Sequence, residues 1–235
     1  MLIKKLFLFL VVVFTSNSYA GETWKIASLS WPPYSAPEIE NQGSSIHKLR
    51  ELLKKEDITL IVEFYPWKRA KYIVANNSQY VGIFPAWPED IFEGAIISSA
   101  VDWSKVSVLK RKEDMITFES LEQLFKKYRV GVVGSYIYPK EISDAMRKYP
   151  QHVDAALNEL LLLKKLVKGR NNAAITDPNV MFYLAEKEGE SNLEIVSSIG
   201  NKELVLAFRD DEINRERVKV LERLLKENTA NVSYP

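Results

Sequence analysis

Asn171-Asn-Ala-Ala-Ile-Thr-Asp-Pro-Asn-Val-Met-Phe-Tyr183 passes from strand to helix with almost no loop. Ala173-Ala174-Ile175 is a short apolar run of the kind a buried strand shows. The run stops at Thr176-Asp177. Pro178 follows at the first helical position, where its fixed φ fits and its missing N–H costs nothing. Val180, Met181 and Leu184 then recur at helical spacing. Asp177 therefore stands at the carboxyl end of a strand and the start of a helix, the edge of an open α/β sheet where ligands bind. Two roles are open to it: a favoured N-cap for the first helical N–H groups, or a ligand contact.

Upstream of that stretch, Asp154 to Lys168 reads as a helix with Leu157, Leu160, Leu161 and Leu166 inward and Gly169 as its C-cap. Arg129-Val-Gly-Val-Val133 is a strand, and Gly134-Ser135-Tyr136 turns into a helix at or just before Pro139. Ser120-Leu-Glu-Gln123 is a capping box for a helix ending near Lys127. Downstream, Leu193–Ser197 and Glu203–Phe208 read as two strands, and Asp211 to about Asn228 as a long helix with Val218, Leu221, Leu224 and Leu225 on its apolar face.

The N-terminal half repeats the theme. Trp24–Leu29, Ile58–Tyr65 and Tyr80–Phe84 read as strands, with helices from Ser44 to Glu56 and from Pro66-Trp67 to Asn76 between them. Strands alternating with helices define an α/β fold with a mainly parallel sheet. Lys105–Lys110 adds a strand, and Arg111-Lys-Glu-Asp114 is a charged break before a second α/β unit.

Two proline-stiffened aromatic loops follow strands: Ser30-Trp31-Pro32-Pro33-Tyr34-Ser35 and Pro85-Ala86-Trp87-Pro88. Proline fixes backbone and so presents neighbouring rings at low entropic cost. Trp31, Tyr34, Trp87 and, at a helix start, Trp67 are candidates to line a cleft, although several of the chain's aromatics must be core. Aromatic walls with a few polar anchors suit a small molecule. Tyr136 is a further candidate just after a strand; Ser135 and the N–H groups of the next helix would hold a carboxylate, and Asp177 an ammonium.

Composition narrows the chemistry. The chain has 235 residues, no cysteine and two histidines, His47 and His152, far apart and expected on surface helices. A disulfide framework, a thiol nucleophile and a cysteine-based metal site are excluded. No phosphate loop, zinc motif or nucleophile elbow occurs, so no cofactor is expected. Residues 1–20 read as a cleavable secretory signal, with Lys4 and Lys5 ahead of the apolar run Leu6–Phe14 and cleavage expected after Ala20. Removing those lysines leaves 30 basic against 31 acidic residues, a net charge of −1. Nothing there draws nucleic acid.

In this order and spacing the motifs resemble the extracellular solute-binding proteins of family 3, the polar amino-acid type of periplasmic binding protein. The likeness spans nearly the whole mature chain: Trp31-Pro-Pro-Tyr34, Gly43 before a helix, Ile97-Ser98-Ser99, Leu121 through Gly134, and Gly169-Arg170 seven residues ahead of Asp177. The resemblance implies a two-lobed type II fold with hinge crossings near Val106–Arg111 and Leu204–Arg209. Lobe 1 would comprise 21–108 plus 204–235, carrying the last helix, and lobe 2 would comprise 109–203. Tyr34 and Trp67 match the family's ligand-flanking aromatics, the Gly134-Ser135-Tyr136 turn its carboxylate side, and Asp177 its amine side.

The implied function is capture of a small polar ligand in a periplasm by a monomer that serves an ABC-type permease. The alternatives are a module for a membrane sensor and, less favoured, a dehydratase-like enzyme drawing on Glu89, Asp90, Glu93 or Asp102. The sequence departs from the family at Pro85–Gly94, which lacks the arginine that clamps an α-carboxylate, and at Asn172, where the family has Asp. Arg69 would substitute for that clamp, or is simply a surface arginine. A bulkier, more aromatic or less anionic ligand fits these departures.

Overall fold

The computed structural model describes residues 21–232, with side chains through 228. The expected signal segment lies outside the described residues. The chain runs β1 (Thr23–Ser28), α1 (Ser44–Lys54), β2 (Thr59–Phe64), α2 (Trp67–Asn76), β3 (Gly82–Ala86), β4 (Ala95–Ile97) and β5 (Asp102–Arg111). It continues through α3 (Leu121–Lys127), β6 (Val130–Val133), α4 (Lys140–Lys148), β7 (Val153–Ala156), α5 (Glu159–Val167), β8 (Ala173–Thr176), α6 (Pro178–Lys187), β9 (Leu193–Arg209) and α7 (Glu212–Val232).

The strands lie in the order β2-β1-β3-β9-β5-β8-β6-β7, with β4 also on β9. In the first half β1 pairs in parallel with β2 and β3. In the second half β6 pairs in parallel with β7 and β8. Helical crossovers between parallel strands leave both faces covered, which is why β3, β6 and β8 are buried at every residue. The mixed α/β class read from the sequence is the observed one.

The two halves are joined by β5 and β9, which pair antiparallel from Asp102↔Leu204 to Arg111↔Leu193. Beyond Leu204, β9 pairs with β3 and β4 of the first half. The helix α7 returns to the first half, where Arg217 pairs with Glu22 and Arg223 with Glu56.

Four local expectations are corrected. Leu193–Ser197 and Glu203–Phe208 form one strand of 17 residues. The segment expected as a helix from Asp154 to Lys168 is a strand, β7, followed by α5, because the side chain of Asn158 accepts the Leu161 N–H and starts the helix anew. Leu162, Leu163 and Leu166 therefore face inward, while Leu157 and Leu161 are exposed and Leu160 is half-buried. The third strand runs two residues later than expected, so Pro85 and Ala86 belong to it. His152 lies on a 3-10 turn rather than a surface helix.

One glycine bears directly on the placement of the first aromatic loop. Gly43 sits at φ 108°, and a Cβ there would meet the Tyr34 carbonyl oxygen at 2.3 Å. That space lets the start of α1 close on the loop, with Ser44 N–H donating to Pro33 O (2.9 Å) and Ser45 N–H to Tyr34 O (3.1 Å). These α1 N–H groups have no intrahelical partner, and the loop carbonyls satisfy them.

Candidate ligand-binding cleft

The loop after β1 closes on itself, with Trp31 N–H donating to Ser35 O (2.6 Å) and Tyr34 N–H to Trp31 O (3.1 Å). The Trp31 and Tyr34 rings are thereby stacked at a tilt, 4.8 Å between centroids. Trp87, one residue past β3, meets Trp31 edge-on at 6.2 Å and Tyr136 of the second half at 6.0 Å. Tyr138 closes the cluster, 6.1 Å from Trp87 and 6.2 Å from Tyr136. Such offset and edge-on ring pairs are each worth about 0.5–1.5 kcal/mol beyond their buried area.

Asp177 is fully buried at the start of α6 and does two things at once. Its Oδ1 accepts N–H bonds from Asn179 (2.7 Å) and Val180 (3.1 Å), so it is the N-cap. Its Oδ2 accepts the Tyr34 hydroxyl (3.0 Å) and the Lys105 N–H (2.7 Å). The Asn179 side chain in turn donates to the Tyr34 oxygen (2.8 Å). Burial pushes the Asp177 carboxyl up, against the pull of the Lys105 and Val180 N–H groups and the Tyr34 hydroxyl. Burial, helped by the Asp177 charge, raises the Tyr34 hydroxyl as well, so it stays a donor.

A second carboxylate lies beside the first. Glu159, at the first position of α5, is buried and accepts the Thr176 hydroxyl at 2.7 Å on both oxygens and the Trp31 indole N–H at 3.4 Å. Tyr136 also bonds to it. Burial is the main reason its pKa rises to about 7, and the charge of Asp177 adds to it. Glu159 is not among the residues singled out from the sequence. Acidic residues are common in a helix's first turn and usually face water, and only the tertiary bonds from Thr176 and Trp31 tell this one apart.

Asp90 is the third buried carboxylate, reached by the Trp67 indole N–H (2.8 Å) and by Lys71, one helical turn beyond Trp67. Burial raises it and Lys71 holds it down. The remaining enzyme candidates are spent or exposed: Glu89 pairs with Lys202, Asp102 with Ser45 and Lys48, and Glu93 faces solvent.

Beside Asp90 lies a cavity of about 20 Å³ lined also by Trp31, Trp67, Trp87 and Tyr136. That is room for about one water-sized group. The two halves are shut on each other by their own side chains. Of the sequence-derived candidates, Trp31, Tyr34, Trp67, Trp87, Tyr136 and Asp177 come together here, and Ser135 is half-buried on the turn beside Tyr136. Arg69 does not join them. It is exposed on α2 with its guanidinium over the Tyr65 ring, 5.5 Å from the centroid, because α2 turns Ala70 and Val74 inward and Arg69 outward. Among the described residues no group of acidic or histidine side chains is placed to hold a metal ion.

No family model matches the sequence, and no curated protein does. Solved structures do match in fold. A histidine kinase sensor domain with similarity to periplasmic binding proteins superposes with a TM-score of 0.74 at 15% identity, covering 91% of this chain and 93% of that one. An ancestral arginine-binding protein bound to arginine gives 0.72 at 18% identity, covering 90% and 94%. An ancestral amino-acid-binding protein, a precursor of cyclohexadienyl dehydratase, gives 0.68 at 17%, covering 90% and 92%. The chain thus has the fold of the periplasmic-binding-protein-like proteins. At these identities the likeness reaches the fold, and the ligand has to be argued from the cleft.

Proposed function

We propose that the protein is a periplasmic solute-binding protein that captures a small polar ligand between two lobes, 21–108 with 204–235 and 109–203. The lobes move about β5 and β9, and closure is the state a membrane partner reads. The observation that carries this reading is the bond from Tyr34 to Asp177, residues 143 apart in sequence and on opposite halves, with the Tyr34 ring stacked on Trp31 of the cavity wall. Bonds made across a hinge by groups that a ligand would also use are exchangeable. Each contributes only about 1–3 kcal/mol net, so a ligand making equivalent bonds displaces them readily.

The partner is an ABC-type permease. A membrane sensor is the second reading, supported by the fit to a histidine kinase sensor domain over nearly its full length. The segment 1–20 directs export. The cleft binds without turnover, since Asp90 and Asp177 are tied into structural bonds.

The test is mass spectrometry of what the natively purified protein releases on denaturation, followed by a thermal-shift screen of amino acids, amines and small cyclic acids. One small polar molecule per chain is expected. A protein that releases nothing and whose melting temperature responds to none of the screen contradicts the reading.

A further inference from the structure

Resting on the binding reading, we infer that the cleft takes an organic cation without a carboxylate, that Glu159 is its second acidic anchor beside Asp177, and that the cation enters in exchange for a proton. The charges of the cleft decide this. Glu159 and Asp177 are joined through adjacent chain positions, Thr176 bonding to one and Asp177 being the next residue. Every bond either carboxylate receives comes from a neutral donor: Thr176, Trp31 and Tyr136 on Glu159, and Tyr34, Lys105 N–H, Asn179 and Val180 on Asp177.

The ionisable groups facing Glu159 from the elements around it are Asp177 at the start of α6, Tyr136 and Tyr138 after β6, and Asp90 after β3. Of the cations around the cleft, Lys71 on α2 is held by Asp90, and Lys105, whose backbone N–H bonds to Asp177, is an exposed residue. Two buried carboxylates with no cation between them cannot both be charged cheaply.

A proton on Glu159 relieves the pair when the cleft is shut on itself, in line with its pKa near 7. A ligand cation relieves it better, because Trp31 and Tyr136, both bonded to Glu159, line the adjoining cavity together with Trp87, and ring faces attract cations. An α-carboxylate would meet the opposite. Its charge would lie against three buried carboxylates, and Arg69 is too far out on α2 to clamp it. The exchange balances: the carboxylic acid of Glu159 gives its proton to solvent, and the cation takes the proton's place as countercharge.

The experiment is calorimetric titration of the mature chain with choline, butylamine and butylguanidine as monocations, L-glutamine as zwitterion and succinate as dianion, from pH 5.5 to 8.5. At least one monocation is expected to bind. Its Kd should be flat above pH 7 and weaken about tenfold per pH unit well below it, where proton release approaches one per ligand bound and vanishes as the Kd flattens. In Glu159→Gln, which keeps an acceptor for Thr176, the pH dependence should vanish and the Kd at pH 8 weaken by about tenfold or more. Tight binding of glutamine or succinate that Glu159→Gln leaves unchanged overturns the inference while upholding the binding reading. A monocation bound with no pH dependence, or no binding by any of the three, also overturns it. The binding reading itself falls only on an empty native protein and an unresponsive screen.

Discussion

The two halves of the molecule bring different chemistry to the same cleft. The first supplies surface: Trp31, Tyr34, Trp67 and Trp87 stand on or beside the ends of β1, β3 and α2. Its one buried acid there, Asp90, is neutralised by Lys71. The second supplies charge: Glu159 and Asp177 start the two helices α5 and α6 and have no cation of their own. Rings can close on many shapes, whereas a buried carboxylate without a partner selects for one charge. On the proposed reading the first half shapes the ligand and the second decides its sign.

This contrast is most vulnerable at Asp177. Asp177→Ala removes the cap of α6 and strands the buried Lys105 N–H and the Tyr34 hydroxyl. The expected loss is about 2–3 kcal/mol of stability, measured by urea unfolding at pH 7, with the cap and the unsatisfied donors each contributing. A loss under about 0.5 kcal/mol would show that these bonds do not form in solution.

Glu159 probes the charged half through pH. Its folded pKa near 7 is above the ordinary glutamate value, so the folded state binds more protons between the two. The stability this contributes is complete below the unfolded value, falls as pH rises toward 7 and is gone above it. Between pH 5.5 and 7 the unliganded protein should lose stability, on the order of 1–2 kcal/mol. Glu159→Gln should flatten that slope. An equal slope in the variant would place the titrating group elsewhere.

Smaller effects belong to the first half. Trp31→Phe keeps the ring stack and deletes the long indole bond to Glu159. It should cost about 0.5–1 kcal/mol by thermal unfolding. Arg69→Ala should change stability by no more than about 0.5 kcal/mol and leave ligand affinity unaltered. A drop in affinity there would restore the clamp that the sequence suggested and the helix face denies.

Much of the fold was legible because it follows local rules. The strand-to-helix step at Thr176-Asp177-Pro178, the cap at Ser120 and the glycine before α1 all carry their own signals. What the sequence hid depends on tertiary neighbours. β7 is four residues of Val-Asp-Ala-Ala that lead into a leucine run, so helical periodicity swallowed it, and only pairing with β6 makes it a strand. β9 looked like two strands because its middle is polar and glycine-containing, yet β5 pairs with it from Leu193 to Leu204, through that middle. In the cleft the aromatics were visible beside their prolines, and Asp177 at its strand end. Glu159 was not, since a glutamate in a first helical turn looks the same whether it is buried or solvated.

The most direct test of the two-sided cleft uses Asp177→Asn, which retains an acceptor for the cap and removes the charge, although its amide nitrogen replaces the oxygen that accepts the Lys105 N–H. The ligand recovered from the native protein would be titrated calorimetrically into wild type and variant at pH 8. The account predicts a loss in affinity of about 100-fold, the upper end for a bond to a charged group, with the unliganded variant still unfolding cooperatively at a melting temperature lowered by the lost Lys105 bond. Equal affinities in the two proteins would contradict it.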